Sequence, residues 1–309
     1  MASPKTTVEK LVTGFTSRKP MRSTSLIITV FGDVISCHGG VIWLGSLVKA
    51  MSLMGINDRL VRTSVFRLVK EDWLCAERVG RRSYYRFTAY GENEYQRAAS
   101  RIYGEPKNPW NGRWQLLLVR DIEEPVIREK VRRSLQWQGF RSISPGVFAK
   151  PESGGISVMQ TLEEFGVKDQ VIQMEASTFE GTSKNLLSSI VAEHWHLEDV
   201  ADRYKVFLRR FDEINSLLDG DIRFSMADAF VVRVLLIHDL RRAILQDIRL
   251  PDEILPAEWP GRAAEKLAAN IYQKVGRESV EYIRSELEAD KGLMGQGSSE
   301  FVNRFKGAF

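Results

Sequence analysis

The sequence lacks long apolar runs, a leader of the secretory type and a cysteine framework. Its longest apolar stretches, such as residues 116–119 and 231–238, fall far short of the roughly 18–20 residues that a membrane-spanning helix needs. The first twenty residues are polar and contain no run of about seven apolar residues, which a signal peptide requires. Cys37 and Cys75 are too few for a disulfide framework and show no metal-ligand spacing. We therefore expect a cytoplasmic protein that crosses no membrane and holds no metal ion or cofactor.

The composition is also not that of a disordered or low-complexity chain. Of 309 residues, 43% are hydrophobic and 27% are charged, which are ordinary globular values. At roughly 100 to 200 residues per domain, the length predicts two or three domains.

The charge is unevenly distributed along the chain. Residues 1–104 contain 16 Lys and Arg against 8 Asp and Glu, whereas the remaining residues contain 28 against 32. A basic N-terminal third joined to an acidic remainder indicates that the first part contacts a polyanion.

The first hundred residues follow the order helix, strand, helix, helix, hairpin. Apolar periodicity, capping residues and glycine stops predict these elements at residues 23–35, 41–43, 44–54, 57–72, 73–78 and 83–87, followed by a helix at 88–103. Two helices joined by a short turn and followed by a two-stranded hairpin are typical of a winged helix-turn-helix. The sequence therefore predicts a DNA-binding domain of this type over residues 23–104.

Beyond a proline-rich linker at residues 105–112, the pattern changes to alternating strands and helices. Strands are predicted at 114–119, 147–150 and 171–177, helices at 125–138 and 160–165, and a further short strand near 140–143. This order predicts a ferredoxin-like domain over residues 113–180. After residue 183 only helical periodicity remains, so residues 184–309 are expected to form a helical domain. The predicted fold class is multidomain α+β.

The third helix of the first domain has one apolar and one cationic face. Val61, Val65 and Leu68 share the apolar face. The opposite face carries the candidate DNA-contacting residues Arg59, Arg62, Thr63, Phe66, Arg67 and Lys70. An ordinary solvated helix face would also carry charges. The neighbouring hairpin favours duplex DNA instead, because it adds Arg81, Arg82 and Tyr84 around its turn.

Six segments of the chain closely resemble the PaaX family, the repressors of bacterial phenylacetate-degradation operons. They are spread along the chain, so that the resemblance extends over about the whole chain after the first twenty residues: GGVIWLGSLVKAMSLMGINDRLVRTSVFRLVKEDWL, VGRRSYYRFT, WNGRWQLLLV, LQWQGF, EHWHLED and LLIHDLRRAILQDIRLPDEILPAEWPG. The resemblance implies an N-terminal winged helix, a middle domain like that of the Cas2 proteins and a helical C-terminal domain. It also implies a homodimer that leaves its operator DNA when it binds phenylacetyl-CoA.

An acyl-CoA effector would need cations for its phosphates and an apolar wall for its ring. His238, Arg241 and Arg242 are the candidate cationic group, and Trp195, Trp259 and Tyr204 are the candidate aromatic wall. In the alternative interpretation, the two arginines form ion pairs with Asp239, Asp247 or Glu253.

Two other functions are consistent with the sequence. Asp121 follows the first strand of the middle domain, where Cas2-like nucleases are thought to hold a metal ion, but one carboxylate makes a weak site. His194 and His196 lie two residues apart and cannot chelate one zinc ion unless the helix is broken between them. The alternatives are therefore a metal-dependent nuclease or a DNA-binding regulator without an effector. We favour the ligand-responsive repressor, with no catalytic residues.

Overall fold

The computed structural model describes residues 3–18, 23–103, 110–120, 122–151, 158–179, 181–220, 222–247, 250–298 and 304–306. The chain forms two compact units, each built from separate parts of the sequence. The first unit comprises Met1–Glu105, Arg203–Gln246 and Pro260–Phe309, and the second comprises Pro106–Asp202 and Asp247–Trp259.

Helices and short antiparallel strands make up the regular structure of both units. In chain order, these elements are α1 (Pro4–Thr16), α2 (Ser23–Val30), β1 (Ile42–Trp43), α3 (Leu44–Ser52), α4 (Asp58–Lys70), β2 (Leu74–Val79), β3 (Arg82–Phe87), α5 (Ala89–Ile102), β4 (Arg113–Val119), α6 (Pro125–Trp137), β5 (Arg141–Ser144), β6 (Val147–Pro151), α7 (Val158–Glu164), β7 (Val171–Ser177), α8 (Lys184–His194), α9 (Leu197–Asp219), α10 (Met226–Ile244), α11 (Pro260–Glu286), β8 (Glu288–Ala289) and β9 (Gly292–Leu293).

The N-terminal part has the winged helix-turn-helix architecture that the sequence predicts. Helices α3 and α4 are joined by a short turn, and the β2–β3 hairpin follows them. Strand β1 pairs with β3, with Ile42 opposite Tyr85, so that the sheet order is β1-β3-β2. The predicted extended segment before α3 is therefore the third strand of the winged-helix sheet.

Helix α4 has clear local signals at both ends. The Asn57 side chain accepts a hydrogen bond from the Leu60 backbone N–H at 2.9 Å, which caps the helix start. Val61, Val65 and Leu68 are buried, as their spacing predicts. The helix ends at Lys70, close to the left-handed Asp72 with φ 59°.

The predicted helix over residues 23–35 is only partly correct. The α-helical part ends at Val30 and continues as a π-helical segment, Phe31–Ile35, and a 3₁₀ turn, Ser36–His38. A π-helical turn shifts the backbone hydrogen bonds by one residue and is often found at functional positions. In this protein it carries the buried Asp33.

Helix α1 was not predicted from the sequence, although its signals are present. Ser3 caps it, Pro4 stands in its first turn, and Val8, Leu11 and Phe15 lie buried along one face. Polar residues outnumber the few apolar ones in this segment, so its average composition does not indicate a buried helix.

The rest of the first unit is helical except for the short antiparallel pair β8–β9, which corrects the expectation of helices alone after residue 183. Helix α10 is buried over most of its length and packs along α11, and it also contacts α1, α2 and α5. The helices of residues 203–246 and 260–309 thus share one core with the winged helix. The two compact units therefore differ from the three predicted domains, 23–104, 113–180 and 184–309. The boundaries of those domains stay a prediction.

The second unit contains a four-stranded antiparallel sheet of order β5-β6-β4-β7, with α6 and α7 packed on one face. Leu117 and Phe148 of the sheet belong to one apolar core with Val131 and Leu135 of α6 and with Val158 and Leu162 of α7. This is the ferredoxin-like arrangement that the sequence predicts, including the short strand β5. In the part of the chain that the structure describes, none of the helices has both the length and the apolar character to cross a membrane.

Candidate nucleic-acid interface

The cationic face of α4 is open to solvent. Its candidate residues are all exposed, namely Arg59, Arg62, Thr63, Phe66, Arg67 and Lys70. Phe66 is 72% exposed, which is unusual for an aromatic ring and places an apolar group among the guanidinium groups. Such a surface can offer guanidinium forks to guanine edges and an apolar contact to thymine methyl groups.

Two of these arginines form ion pairs along their own helix. Arg62 Nε lies 2.8 Å from Asp58 Oδ1, and Arg67 Nε lies 2.7 Å from Glu71 Oε1. Exposed pairs of this kind are worth about 0–1 kcal/mol, so a phosphate or base can replace the carboxylate at low cost. The pairs therefore orient the guanidinium groups without blocking the face.

The wing carries a second basic group, whose members differ in their surroundings. Arg81 is exposed at the tip, next to Gly80, whose φ of 61° makes the tight turn. The Arg82 guanidinium forms an ion pair with Glu288 and lies 4.3 Å from the centre of the Trp43 ring. Because Arg82 is already held by these two partners, Arg81 is the better positioned of the two for DNA.

Tyr84 does not lie on the exposed surface of the wing. Its side chain is only 8% exposed and belongs to the core, where it stands opposite Trp43 in the β1–β3 pairing. The strand period of two turns Tyr84 inward. This correction to the predicted surface makes Tyr84 a support of the hairpin.

A buried ionic cluster, which the sequence analysis missed, lies beneath the winged helix. Asp33 is fully buried, and Arg233 Nε donates to its Oδ2 at 2.8 Å. Arg304, Tyr103 and Tyr272 donate to its Oδ1 at 3.0, 2.6 and 2.8 Å. Burial raises the pKa of Asp33, but the charges of Arg233 and Arg304 outweigh burial and hold the pKa below its usual value. Asp33 is therefore ionised at neutral pH, and it joins four distant parts of the chain.

The sequence contained a weak signal for this cluster. Asp33 follows the apolar run 26–31, and Arg233 stands inside the apolar run of α10. An acidic and a basic residue placed singly in two buried helices indicate that each neutralises the other.

The proposed cationic group of the effector site is largely buried. His238 is 1% exposed, its ring contacts Phe15 edge to face, and its Nδ1 lies 3.2 Å from Thr29 Oγ1. Burial lowers the pKa of His238 to about 3, so the ring is neutral. Arg241 Nη1 donates to the Ser25 carbonyl at 3.4 Å, and Arg242 is exposed.

The neighbouring carboxylate pairs with other arginines. Asp239 binds Arg18 through two hydrogen bonds, at 2.5 and 2.8 Å, and also binds Arg210. The alternative pairing of Asp239 with Arg241 or Arg242 is therefore not the one that the structure shows.

The three candidate aromatic residues are divided between the two compact units. Tyr204 belongs to the first unit, whereas Trp195 and Trp259 belong to the second. All three are buried, and Trp195 Nε1 donates to the Gly139 carbonyl at 3.3 Å. Their role as effector contacts, like that of the cationic group, stays a prediction.

The candidate metal residues give no site among the residues that the structure describes. Asp121 lies outside the described residues. Helix α8 ends at His194 and His196 has a φ of 51°, so the helix is broken between the two histidines. Even so, no group of three or more His, Cys, Asp or Glu side chains that could hold a metal ion occurs in the described parts.

Comparison with known proteins shows similarity along most of the chain. Residues 22–91 match the family described as PaaX-like protein, residues 107–187 match the PaaX protein central Cas2-like domain, and residues 195–285 match the PaaX-like protein C-terminal domain. The chain is 37% identical over 289 residues to the transcriptional repressor PaaX of Escherichia coli strain K12, which covers 93% of this chain and 91% of that protein.

A solved structure is also similar. It is an uncharacterized protein, Rv0674 from Mycobacterium tuberculosis, with a TM-score of 0.52 and 22% sequence identity. The match covers 82% of this chain and 97% of the other chain, and at this identity it shows a shared fold.

Proposed function

The chain belongs to the PaaX family of transcriptional repressors, and from that premise we propose that it binds operator DNA as a homodimer and releases it on binding phenylacetyl-CoA. The observation that carries the DNA-binding part is the exposed cationic face of α4, which stands beside an exposed basic wing in winged-helix geometry. In such a protein, α4 enters the major groove and the wing follows the phosphate backbone.

The DNA-binding part is tested with the full chain and with duplexes that the chain enriches from a random-sequence library. The double variant R59A/R62A should lose affinity for the enriched duplex and discriminate less between sequences, whereas R81A should weaken all sequences alike. The exposed pair Arg132 and Arg133 on α6 supplies a matched control, R132A/R133A, which should bind normally. Unchanged affinity in R59A/R62A would contradict the role of α4.

Salt dependence gives an independent measurement. A dimer that makes on the order of 6–10 phosphate contacts should lose roughly 10³-fold or more in affinity between about 50 and about 200 mM salt. A flat dependence, measured by fluorescence anisotropy, would argue against a phosphate-contacting wing.

The effector part rests on the family. We expect phenylacetyl-CoA to release the enriched duplex, whereas free phenylacetate and acetyl-CoA should not. A dimer should require two half-sites at fixed spacing, because inserting about five base pairs between them turns one half-site to the other side of the duplex. Persistence of the complex at saturating phenylacetyl-CoA would favour the regulator without an effector.

We further propose that the protein acts without catalysis and without a cofactor. Operator affinity should be the same in the presence of a chelator, and the duplex should stay intact with Mg²⁺ or Mn²⁺. Cleavage that the chelator stops would instead support the nuclease.

A further inference from the structure

A cavity of about 450 Å³ lies within the first unit, where the C-terminal end of α9, the start of α10 and the middle of α11 meet. Its apolar wall is formed by Leu218, Phe224, Ala229 and Val275, and all four of these side chains are buried. The volume is within the range of about 300–1,000 Å³ that small-molecule sites occupy.

The same cavity is lined by three cations and one carboxylate, Arg223, Lys274, Arg277 and Glu278. Lys274 Nζ donates to Asp219 Oδ1 at 2.6 Å and to the Leu218 carbonyl at 3.2 Å, and Arg277 Nε lies 3.6 Å from Glu281. Arg223 has no ion-pair partner among the residues that the structure describes. The cavity lining itself is therefore net positive, in a chain region whose overall charge is negative.

A cationic rim beside an apolar wall is complementary to an organic anion that also has an apolar part. We propose that this cavity is the effector site, where Arg223 and Arg277 bind the anionic group and Phe224 contacts the apolar group. This proposal rests on the proposed response to an acyl-CoA, and it assigns a binding site to that ligand. A ligand that fits the cavity has an anionic group, either a phosphate or a carboxylate, joined to an apolar group.

The cavity has a direct structural connection to the DNA-binding helix. Ala229 lies one turn before Arg233 on α10, and Val275 lies one turn after Tyr272 on α11. Arg233 and Tyr272 both bind Asp33, which lies in the π-helical segment that continues α2.

Helix α2 packs on α4, where Ser23 Oγ and Ser64 Oγ are 2.7 Å apart. A ligand in the cavity that binds more tightly when α10 and α11 are differently spaced would therefore shift α2, and with it the position of α4. If that arrangement does not bind DNA, the ligand favours the DNA-free state by the difference between its affinities for the two arrangements.

The test is calorimetric titration of the full chain with phenylacetyl-CoA, with adenosine 3′,5′-bisphosphate and with phenylacetate. R223A/R277A should bind phenylacetyl-CoA about tenfold or more weakly, because each lost charge-assisted hydrogen bond has a large contribution. R223K/R277K should recover part of the affinity. The matched control R209A/R284A removes two exposed arginines from α9 and α11 that lie outside the cavity lining, and it should bind normally.

The outcomes separate this inference from the proposed function. Binding of the bisphosphate as well as phenylacetyl-CoA would identify the phosphates as the anion in the cavity. Binding of phenylacetate alone would identify a carboxylate instead and would overturn the assignment of the acyl-CoA, which has no carboxylate. Unchanged affinity in R223A/R277A would place the effector elsewhere and overturn the inference. If the wild-type chain binds phenylacetyl-CoA at the cavity but keeps its operator, the inference stands and the proposed release fails. If the wild-type chain binds none of the three compounds, both fail.

Discussion

At the scale of single residues, Asp33 has the most demanding environment in the first unit. A fully buried carboxylate is tolerated only when opposite charges and hydrogen bonds compensate for its lost hydration. Arg233 and Arg304 supply the charges, and Tyr103 and Tyr272 supply two hydroxyl donors. The cluster thus stabilises the fold only as a complete set, since each member alone would be a buried charge or an unsatisfied polar group.

Removing the charge of Asp33 should therefore be severe. We expect D33N to lower the free energy of unfolding by about 3–5 kcal/mol, because Arg233 and Arg304 stay buried and lose the charge of Asp33. The control is E129Q, which removes the exposed pairs with Arg132 and Arg133 and should change stability far less. Urea unfolding followed by circular dichroism measures both, and equal effects of the two variants would contradict this account.

The buried histidines predict the pH dependence of stability. Burial lowers the pKa of His238 to about 3 and that of His38 to about 4. An unfolded histidine has a pKa of about 6.5, so below that pH the unfolded chain binds protons that the folded chain excludes. Stability is then fully present above about pH 6.5 and falls as the pH drops, by about 1.4 kcal/mol per pH unit for each such group.

We expect H238Q, which keeps a partner for Thr29 but cannot titrate, to unfold with a shallower pH dependence between about pH 6.5 and about pH 4. Thermal or urea unfolding at a series of pH values measures this slope. The same slope in H238Q and the wild-type chain would mean that His238 does not exclude the proton.

At the scale of elements, the π-helical segment Phe31–Ile35 is shaped by its packing on α5. A Cβ on Gly32 would lie 1.9 Å from Cε2 of Tyr95, whose ring is buried. The Tyr95 hydroxyl lies 2.9 Å from that of Tyr103, which in turn binds Asp33. Gly32 therefore permits the close approach of α5 on which the cluster depends.

The change G32A should destabilise the protein by about 1–3 kcal/mol or more, because the Tyr95 ring has no room to move away. Gly14 on α1 provides the opposite case, since nothing lies within 4 Å of its Cβ position. G14A should be neutral or stabilise by up to about 1 kcal/mol. Urea midpoints of the two variants test this difference in sign, and a neutral G32A would mean that α5 can shift.

Local periodicity explains which elements could be predicted. Helix α4, its cap at Asn57 and its exposed cationic face follow from residues within one segment, as do the strands of the three-stranded and four-stranded sheets. The π-helical segment could not be derived in this way, because it packs on α5, which comes much later in the sequence. Helix α1 does have local signals, but its few apolar residues stand among polar ones. The partners of Asp33 likewise stand up to 271 residues away, and such pairing leaves no local pattern.

At the scale of the whole molecule, the winged helix and the C-terminal helices share one core. The resemblance to the PaaX family, the winged helix and the Cas2-like domain are confirmed. The types of the candidate effector residues His238, Tyr204 and Trp195 match the chemistry of an acyl-CoA. Residue type does not show whether a side chain is exposed, and all three of these are buried. Cavities arise from the packing of distant elements, so a sequence pattern does not reveal them.

Separating residues 1–104 from the rest should expose this shared core. We expect the isolated segment to unfold at lower denaturant than the full chain, because Asp33 loses Arg233, Arg304 and Tyr272. In that segment D33N should be neutral or stabilising, which is opposite in sign to its effect in the full chain. Unfolding of both forms is measured by circular dichroism. If D33N destabilises both forms equally, the partners of Asp33 outside the segment do not stabilise its buried carboxylate.

The pairing of Asp33 with Arg304 also has a consequence for protein synthesis. The ribosome adds about 5–20 residues per second, so roughly 15 to 55 seconds separate the appearance of the acid from that of its second arginine. Asp33 lacks both arginines until Arg233 is made, and it is only partly compensated from then until Arg304 follows. We therefore expect the core beneath the winged helix to close only after the last partner of Asp33 has left the ribosome.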